Sequence, residues 1–216
     1  MNARADAAIA AGARAFVAAP DQRALRDALG LFATGVAVVA CAGEAAEPVA
    51  ITVSSFNSVS LDPPLVLFSL HNAAASMPVW LRARHYTISV LSAGQRELSG
   101  RFAKALSDKW KDLTPAVGPL TGAPMLPEAL ACFECQAHAH HPGGDHTIFV
   151  GKVLSLHAQP ASDSLPLLFF GGRYRGLAEE GRGALADGSG GAVAGSGAAA
   201  AGSDTMADGG PWPYAW

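Results

Sequence analysis

Ile51-Thr-Val-Ser-Ser-Phe-Asn-Ser-Val-Ser-Leu-Asp-Pro-Pro-Leu-Val-Leu-Phe-Ser-Leu70 reads as two β-type runs on either side of an Asp62-Pro63-Pro64 corner. The prolines fix φ, and Pro64 biases Pro63 towards extended backbone, so the chain turns there without becoming helical. The second run is almost continuously apolar, whereas the first mixes Ile, Val and Phe with Ser54, Ser55, Asn57, Ser58 and Ser60. A packed strand fills its inward positions with branched or aromatic side chains. Small hydroxylated groups leave room and offer hydrogen bonds instead. Such a wall suits a flat ligand with a polar edge.

Upstream, Leu25, Ala28, Leu29 and Phe32 recur at helical spacing after Pro20-Asp21, in a helix expected to end at Thr34-Gly35. Val36 to Cys41 reads as a short buried strand. With the turn at Gly43 to Pro48, it predicts an antiparallel meander running into the central pair. Downstream, Ser76 is the expected N-cap of a short helix through Val79, Trp80 and Leu81, with Met77-Pro78 in its first turn. A strand-to-helix junction there aims N–H groups outward, as a phosphate site needs; a plain capped surface helix reads equally well. His85 to Leu91 is a further strand. Ser92 and Gln95 form a capping-box pattern before a helix expected to bury Leu98, Phe102 and Ala105. Residues 107 to 127, with Lys109, Trp110 and Lys111, read as a loop with one short strand, of the kind that rims a pocket. Pro166 to Leu177 reads as a last strand.

The 216 residues suit one domain of barrel or sandwich size. A formal charge of -3 with no Lys/Arg block argues against nucleic acid as a main partner. No stretch approaches the roughly 18 apolar residues of a membrane span. The N-terminus lacks a signal-peptide core, and three cysteines fit a reducing compartment, so a cytoplasmic location is expected. Residues 1–19 read as an Ala-rich extension and 20–177 as the domain. Residues 178–216 are Gly, Ala and Ser with scattered Asp, too poor in bulky apolar groups to order themselves, and are expected to be disordered.

Cys132, Cys135, His138, His140 and His141 invite a metal reading. Their alternation and the Pro142-Gly143-Gly144 turn instead predict a hairpin, returning from Thr147 to Val153. On a regular strand Cys132 and Cys135 face opposite sides, whereas a zinc knuckle needs a tight turn between them. No metal is expected, although His138 and His140 share a face that would suit a weak surface site. Asp145-His146 lies at the mouth of this hairpin. Taken alone, the pair is a turn aspartate beside a solvated histidine.

Five segments in register carry a family resemblance: Phe32-Ala-Thr-Gly-Val-Ala-Val-Val39, Thr52 to Leu67, Ser89-Val-Leu-Ser-Ala-Gly-Gln95, Leu98-Ser-Gly-Arg-Phe-Ala103 and Gly144-Asp-His-Thr-Ile-Phe-Val-Gly151. Across residues 21 to 177 the chain resembles the short-chain flavin reductases, the reductase components of two-component flavin-dependent monooxygenases. The resemblance implies a mainly β fold with peripheral helices, an FMN-binding split β-barrel, usually homodimeric. It also implies reduction of FMN or FAD by NADH or NADPH, with the reduced flavin passed to a separate monooxygenase component. Residue by residue, it puts Thr52, Val53, Ser54, Ser55 and Asn57 along the isoalloxazine and Asn72 and Ser76 near the ribityl-phosphate. Arg101 and Phe102 become further contacts. Asp145 and His146 match the Gly-Asp-His motif on the nicotinamide side, with His146 the expected catalytic residue and Asp145 its orienting partner. Met77 stands where the family pattern often has a Thr.

The chemistry agrees with that expectation. Hydride transfer needs two planar rings in stacking contact with water excluded, and backbone N–H groups around Ser54 and Ser55 can serve a flavin's polar edge. No Gly-x-Gly-x-x-Gly fingerprint is present, so the nicotinamide nucleotide is expected in an open cleft. Two other classes remain compatible with these residues: an FMN-retaining electron-transfer flavoprotein, and a flavin-binding module without turnover.

Overall fold

The structure, a computed structural model, describes residues 21–105, 108–160 and 165–177. The expectations for residues 1–19 and 178–216 lie outside the described residues. Helix α1 (Gln22–Leu29) starts where the sequence predicts, with Ala24 N–H donating to Asp21 Oδ1 at 2.7 Å. Its apolar face is uncovered, however: no residue of α1 is buried, and the neighbouring Phe32 is 73% exposed. Thr34-Gly35 is not the helix end. It is strand β1 (Thr34–Gly35), paired with Phe169 and Leu168 of β11 (Leu168–Phe170). Such a distant partner leaves no local signal.

Strand β2 (Ala37–Ala42) is apolar without alternation because both its faces are covered. Ala37, Val39 and Cys41 enter the main core with Phe68, Trp80, Tyr86 and Phe149. Val38 and Ala40 pack into a second cluster with Phe102, Leu126 and Leu167. The main core holds the aromatic side chains tightly: Phe68 stacks on Phe149 at 5.3 Å and meets Tyr86 edge-on at 5.2 Å. A Cβ at Gly151 would collide with the Tyr86 ring, which is why the last position of that sequence motif is glycine.

The first run of the opening stretch is two strands, β3 (Pro48–Val53) and β4 (Asn57–Leu61). β4 turns at the corner, where the Asp62–Pro63 peptide is cis, into β5 (Pro64–His71). The remaining strands of this sheet are β6 (His85–Val90), β9 (Ala131–Gly143) and β10 (His146–Ala158), in the order β3-β2-β6-β9-β10-β5-β4. The expected meander is therefore broken: β3 and β4, adjacent in sequence, form opposite edges. A flat seven-stranded sheet would hold its edges about 29 Å apart. The link of Ser54, Ser55 and Phe56 reaches at most about 14 Å. The sheet must therefore curl until β3 meets β5, giving a split barrel. A side chain, not a ladder, bridges the split: Ser69 N–H donates to Ser55 Oγ at 2.9 Å, and Ser55 Oγ donates to the Ser69 carbonyl at 3.1 Å.

Peripheral elements feed both clusters, Met77 and Trp80 the main core and Phe102 the second. Helix α2 (Met77–Arg82) follows β5, and a 3-10 turn (Ala93–Gln95) leads into α3 (Arg96–Ala103). Ser92 N–H donates to Gln95 Oε1 at 3.1 Å, as the capping pattern predicts. Ser76 does not cap with its side chain; its Oγ accepts the Trp80 indole N–H at 3.2 Å. Phe102 is buried, Leu98 is half-buried and Ala105 is exposed. Residues 107–127 hold two short paired strands, β7 (Ala116–Val117) and β8 (Pro124–Met125), not one. The last predicted strand is a hairpin of β11 and β12 (Arg173–Arg175), folded at Gly171-Gly172, both with positive φ.

Glu134 anchors the β7–β8 loop. Its buried carboxylate accepts from Thr121 N–H and Oγ1, each at 2.8 Å, from Leu120 N–H at 3.1 Å and from Ser155 Oγ at 2.8 Å. Burial alone would raise its pKa, but the bonds from Ser155, Thr121 and Leu120 outweigh that and hold it below the ordinary carboxylate range. Glu134→Gln should cost about 2 kcal/mol at neutral pH. Because the folded pKa is depressed, this contribution is complete above the unfolded value of about 4.3. It is lost as pH falls through the lower folded value. Urea unfolding of both proteins checks this: the gap should be full at pH 7 and should close under acid conditions.

Candidate active site

The β9–β10 turn is two residues long, with Gly144 at φ +75° and Asp145 beside it. Three hydrogen bonds from the end of β5 and the start of β10 fix it. Asn72 N–H donates to the Asp145 carbonyl at 2.8 Å, Asn72 Nδ2 to the Gly144 carbonyl at 3.1 Å, and Thr147 Oγ1 to Asn72 Oδ1 at 2.8 Å. Asn72 thus holds the turn with both ends of its amide.

On this platform His146 Nδ1 lies 2.7 Å from Asp145 Oδ1. That hydrogen bond, aided by the nearby His146 and His71 imidazoles, holds the Asp145 carboxyl below its usual range despite some desolvation. An ionised Asp145 only accepts, so the neutral imidazole of His146 carries its proton on Nδ1 and presents Nε2 as an acceptor. Nε2 is buried and has no hydrogen-bond partner among the described residues. A buried acceptor left open in this way is one that a ligand or a water can complete. His71, which the sequence did not single out, joins the cluster. It lies opposite His146 on the β5–β10 ladder, with the two rings 5.1 Å apart.

The second part of the site is the barrel split. Among the described residues no hydrogen bond uses the N–H of Ser54, Ser55 or Phe56. Ser54 also has no side-chain partner among them and is half-buried. These are the donors that the polar edge of a planar ring requires, so the residues fit a flavin. Nearby, a shallow cavity of about 470 Å³ is lined by Asn72, Ala73, Ala74, Ala75, Met77, Pro78, Leu81 and Arg82. Another, of about 290 Å³ between Gly43, Arg84, His85 and Thr121, contains none of the expected site residues.

Several residues expected as contacts have partners within the chain. Phe102 is fully buried, packed edge-on against Trp110 at 4.8 Å, so it is core and cannot touch a ligand. Thr52 Oγ1 is buried and donates to the Ser99 carbonyl at 2.7 Å, while the Val53 side chain sits in the main core. Asn57 is exposed, its Oδ1 accepting Ser58 N–H at 2.8 Å. Arg101 is exposed and donates to the Lys111 carbonyl at 2.9 Å. Lys109 is not a rim residue but a staple, donating to the Ala50 and Phe102 carbonyls, and burial pushes its pKa down. Cys132 faces Ser89 and Met125, whereas Cys135 enters the main core. A bulge leaves His138 opposite no β10 residue, which breaks the alternation that a face shared with His140 needs. No cluster of three metal-ligating side chains occurs among the described residues.

The family model of the flavin reductase like domain matches residues 29–178. The chain belongs to this family. Its relatives include the FMN reductase (NADH) SmoA of Agrobacterium fabrum, 44% identical over 154 residues, covering 71% of this chain and 85% of that one. The flavin-dependent monooxygenase reductase subunit HsaB of Mycobacterium tuberculosis is 34% identical over 160 residues, covering 74% and 84%. Among solved structures, the NADH:FAD oxidoreductase of Streptomyces globisporus, in complex with NAD and FAD fragments, superposes with a TM-score of 0.71. It shares 38% identity and covers 77% of this chain and 99% of that one. In this flavin reductase the split barrel and the Gly144–Thr147 turn both fall within the matched region.

Proposed function

We propose that this flavin reductase takes hydride from NADH onto an exchanging flavin, FMN or FAD, and passes the reduced flavin to a separate flavin-dependent monooxygenase. The observation that carries the reading is the open acceptor at His146 Nε2, buried without a partner among the described residues on a hydrogen-bonded turn. A bound flavin supplies the two-electron chemistry. The chain binds and orients. Ser54 and Ser55 N–H groups donate to the ligand's polar edge, and His146 Nε2 accepts an N–H from the nicotinamide carboxamide. Asn72 and Thr147 keep the turn from shifting. Every strand pairing among the described residues is antiparallel, so none of them forms a parallel dinucleotide-binding sheet. This favours an open cleft for NADH.

The cavity wall of Ala73, Ala74 and Ala75 carries no side-chain donor, and Arg82 is paired with Glu44 at 3.0 Å. A phosphate would be held weakly there, which suits a flavin that arrives and leaves. NADH oxidation should therefore rise and saturate with added FMN or FAD and be negligible without either. Purification with bound flavin, and turnover indifferent to added flavin, would favour the FMN-retaining carrier instead.

The reductase is further proposed to act as a cytoplasmic homodimer. No described helix is long and apolar enough to cross a membrane. Leu31 and Leu61 are 69% and 94% exposed in the single chain, apolar surface that a second copy would cover. Sedimentation at micromolar concentration should give twice the chain mass; a monomer would count against the pairing.

A further inference from the structure

Ala73 N–H donates to His71 Nδ1 at 3.0 Å, so that nitrogen is bare and the His71 proton sits on Nε2. His71 Nε2 lies 3.9 Å from Asp145 Oδ2, while Asp145 Oδ1 bonds His146 Nδ1 at 2.7 Å. One carboxylate thus faces two imidazoles, one on each oxygen. The rings themselves meet edge to face, 77° apart in plane. His71 and His146 are largely buried, with side chains 26% and 13% exposed, whereas the Asp145 side chain is 74% exposed.

An exposed aspartate on a two-residue turn is free to rotate about χ1 and χ2. A single hydrogen bond to its sequence neighbour restrains one oxygen and leaves the carboxylate plane loose. A second attraction, on the other oxygen and from a different strand, restrains the plane. At 3.9 Å this attraction is electrostatic or carried by one bridging water.

We propose that His71 is a positioning residue for His146: it fixes the Asp145 carboxylate and packs the His146 ring, and so enforces the Nδ1-protonated tautomer that leaves Nε2 open. The inference rests on the function proposed above for His146, but its first test does not need turnover. Full-length, ligand-free protein with 15N-labelled histidine should show a single Nδ1–H tautomer for His146 at neutral pH. In His71→Phe, which keeps the ring edge but removes both nitrogens, the tautomers should mix. In His71→Gln, whose amide can still donate to Asp145, the wild-type tautomer should return. Stopped-flow reduction at saturating NADH should fall about tenfold in His71→Phe and recover in His71→Gln, with flavin affinity unchanged in both.

A His146 tautomer unchanged in His71→Phe overturns the proposal. If His71→Phe does not fold, the wild-type spectrum decides, because His146 protonated on Nε2 overturns it equally. An altered tautomer with an unaltered rate would uphold the coupling and bring down the function proposed for His146 instead.

Discussion

Replacing His146 with alanine should slow single-turnover flavin reduction about a hundredfold at saturating NADH, with little change in flavin affinity. The expectation comes from geometry. The imidazole is the one group on the Gly144–Thr147 turn that combines burial, a fixed proton on Nδ1 and an open nitrogen. Hydride transfer asks for no acid at this position, so the loss comes from the nicotinamide being held out of stacking register. An error of about an ångström is enough for a loss of that order. His146→Gln retains an acceptor at similar reach and should recover part of the rate. Stopped-flow measurement on pre-bound flavin tests the claim. A wild-type rate in His146→Ala would remove the residue from the site.

Ser54→Leu should weaken binding of FMN and FAD by on the order of a hundredfold, since forcing bulk into a fitted space costs about 1–3 kcal/mol. Ser54 is half-buried beside three free backbone donors, and its own hydroxyl bonds nothing among the described residues. The change therefore adds bulk beside these donors without breaking a hydrogen bond of the described residues. Ser55→Ala is the contrasting variant. It removes both bonds across the barrel split and should lower stability by about 1–2 kcal/mol while leaving the donors in place. Fluorescence titration with each flavin, alongside thermal unfolding, separates the two effects. Wild-type affinity in Ser54→Leu would move the ligand away from this linker.

Both the strands and the motif at their turn were legible where the signal was local. Val36 to Cys41 reads as a buried strand because covering both faces demands an unbroken apolar run. The β9–β10 hairpin is legible because its alternation ends in a Gly-Gly pair, and the Asp145-His146 pair because it sits beside that turn within a family motif. Partners far along the chain wrote nothing local. Thr34-Gly35 looks like a helix end until Leu168 and Phe169 pair with it. The break at Ser54 to Phe56 hides inside one β-type composition, since only sheet order tells β3 from β4. Phe102 shows the conflict between two signals. Its helical spacing correctly indicated burial, whereas the resemblance made it a contact. His71 escaped notice because a histidine gains meaning only from its cross-strand neighbour.

The seam at Ser55 is also expected to open more often than the rest of the sheet. Amides between β9 and β10 are shielded by a long ladder and exchange with solvent deuterium only when much of the sheet opens. The Ser69 amide is shielded by one hydroxyl. Its exchange lifetime is therefore that of a single local opening, and opening there parts β5 from the linker without unravelling either neighbour. A flavin bound beside Ser54, as proposed above, would thus border a seam held by one side chain, and is expected to enter and leave on the timescale of parting that contact rather than of unfolding.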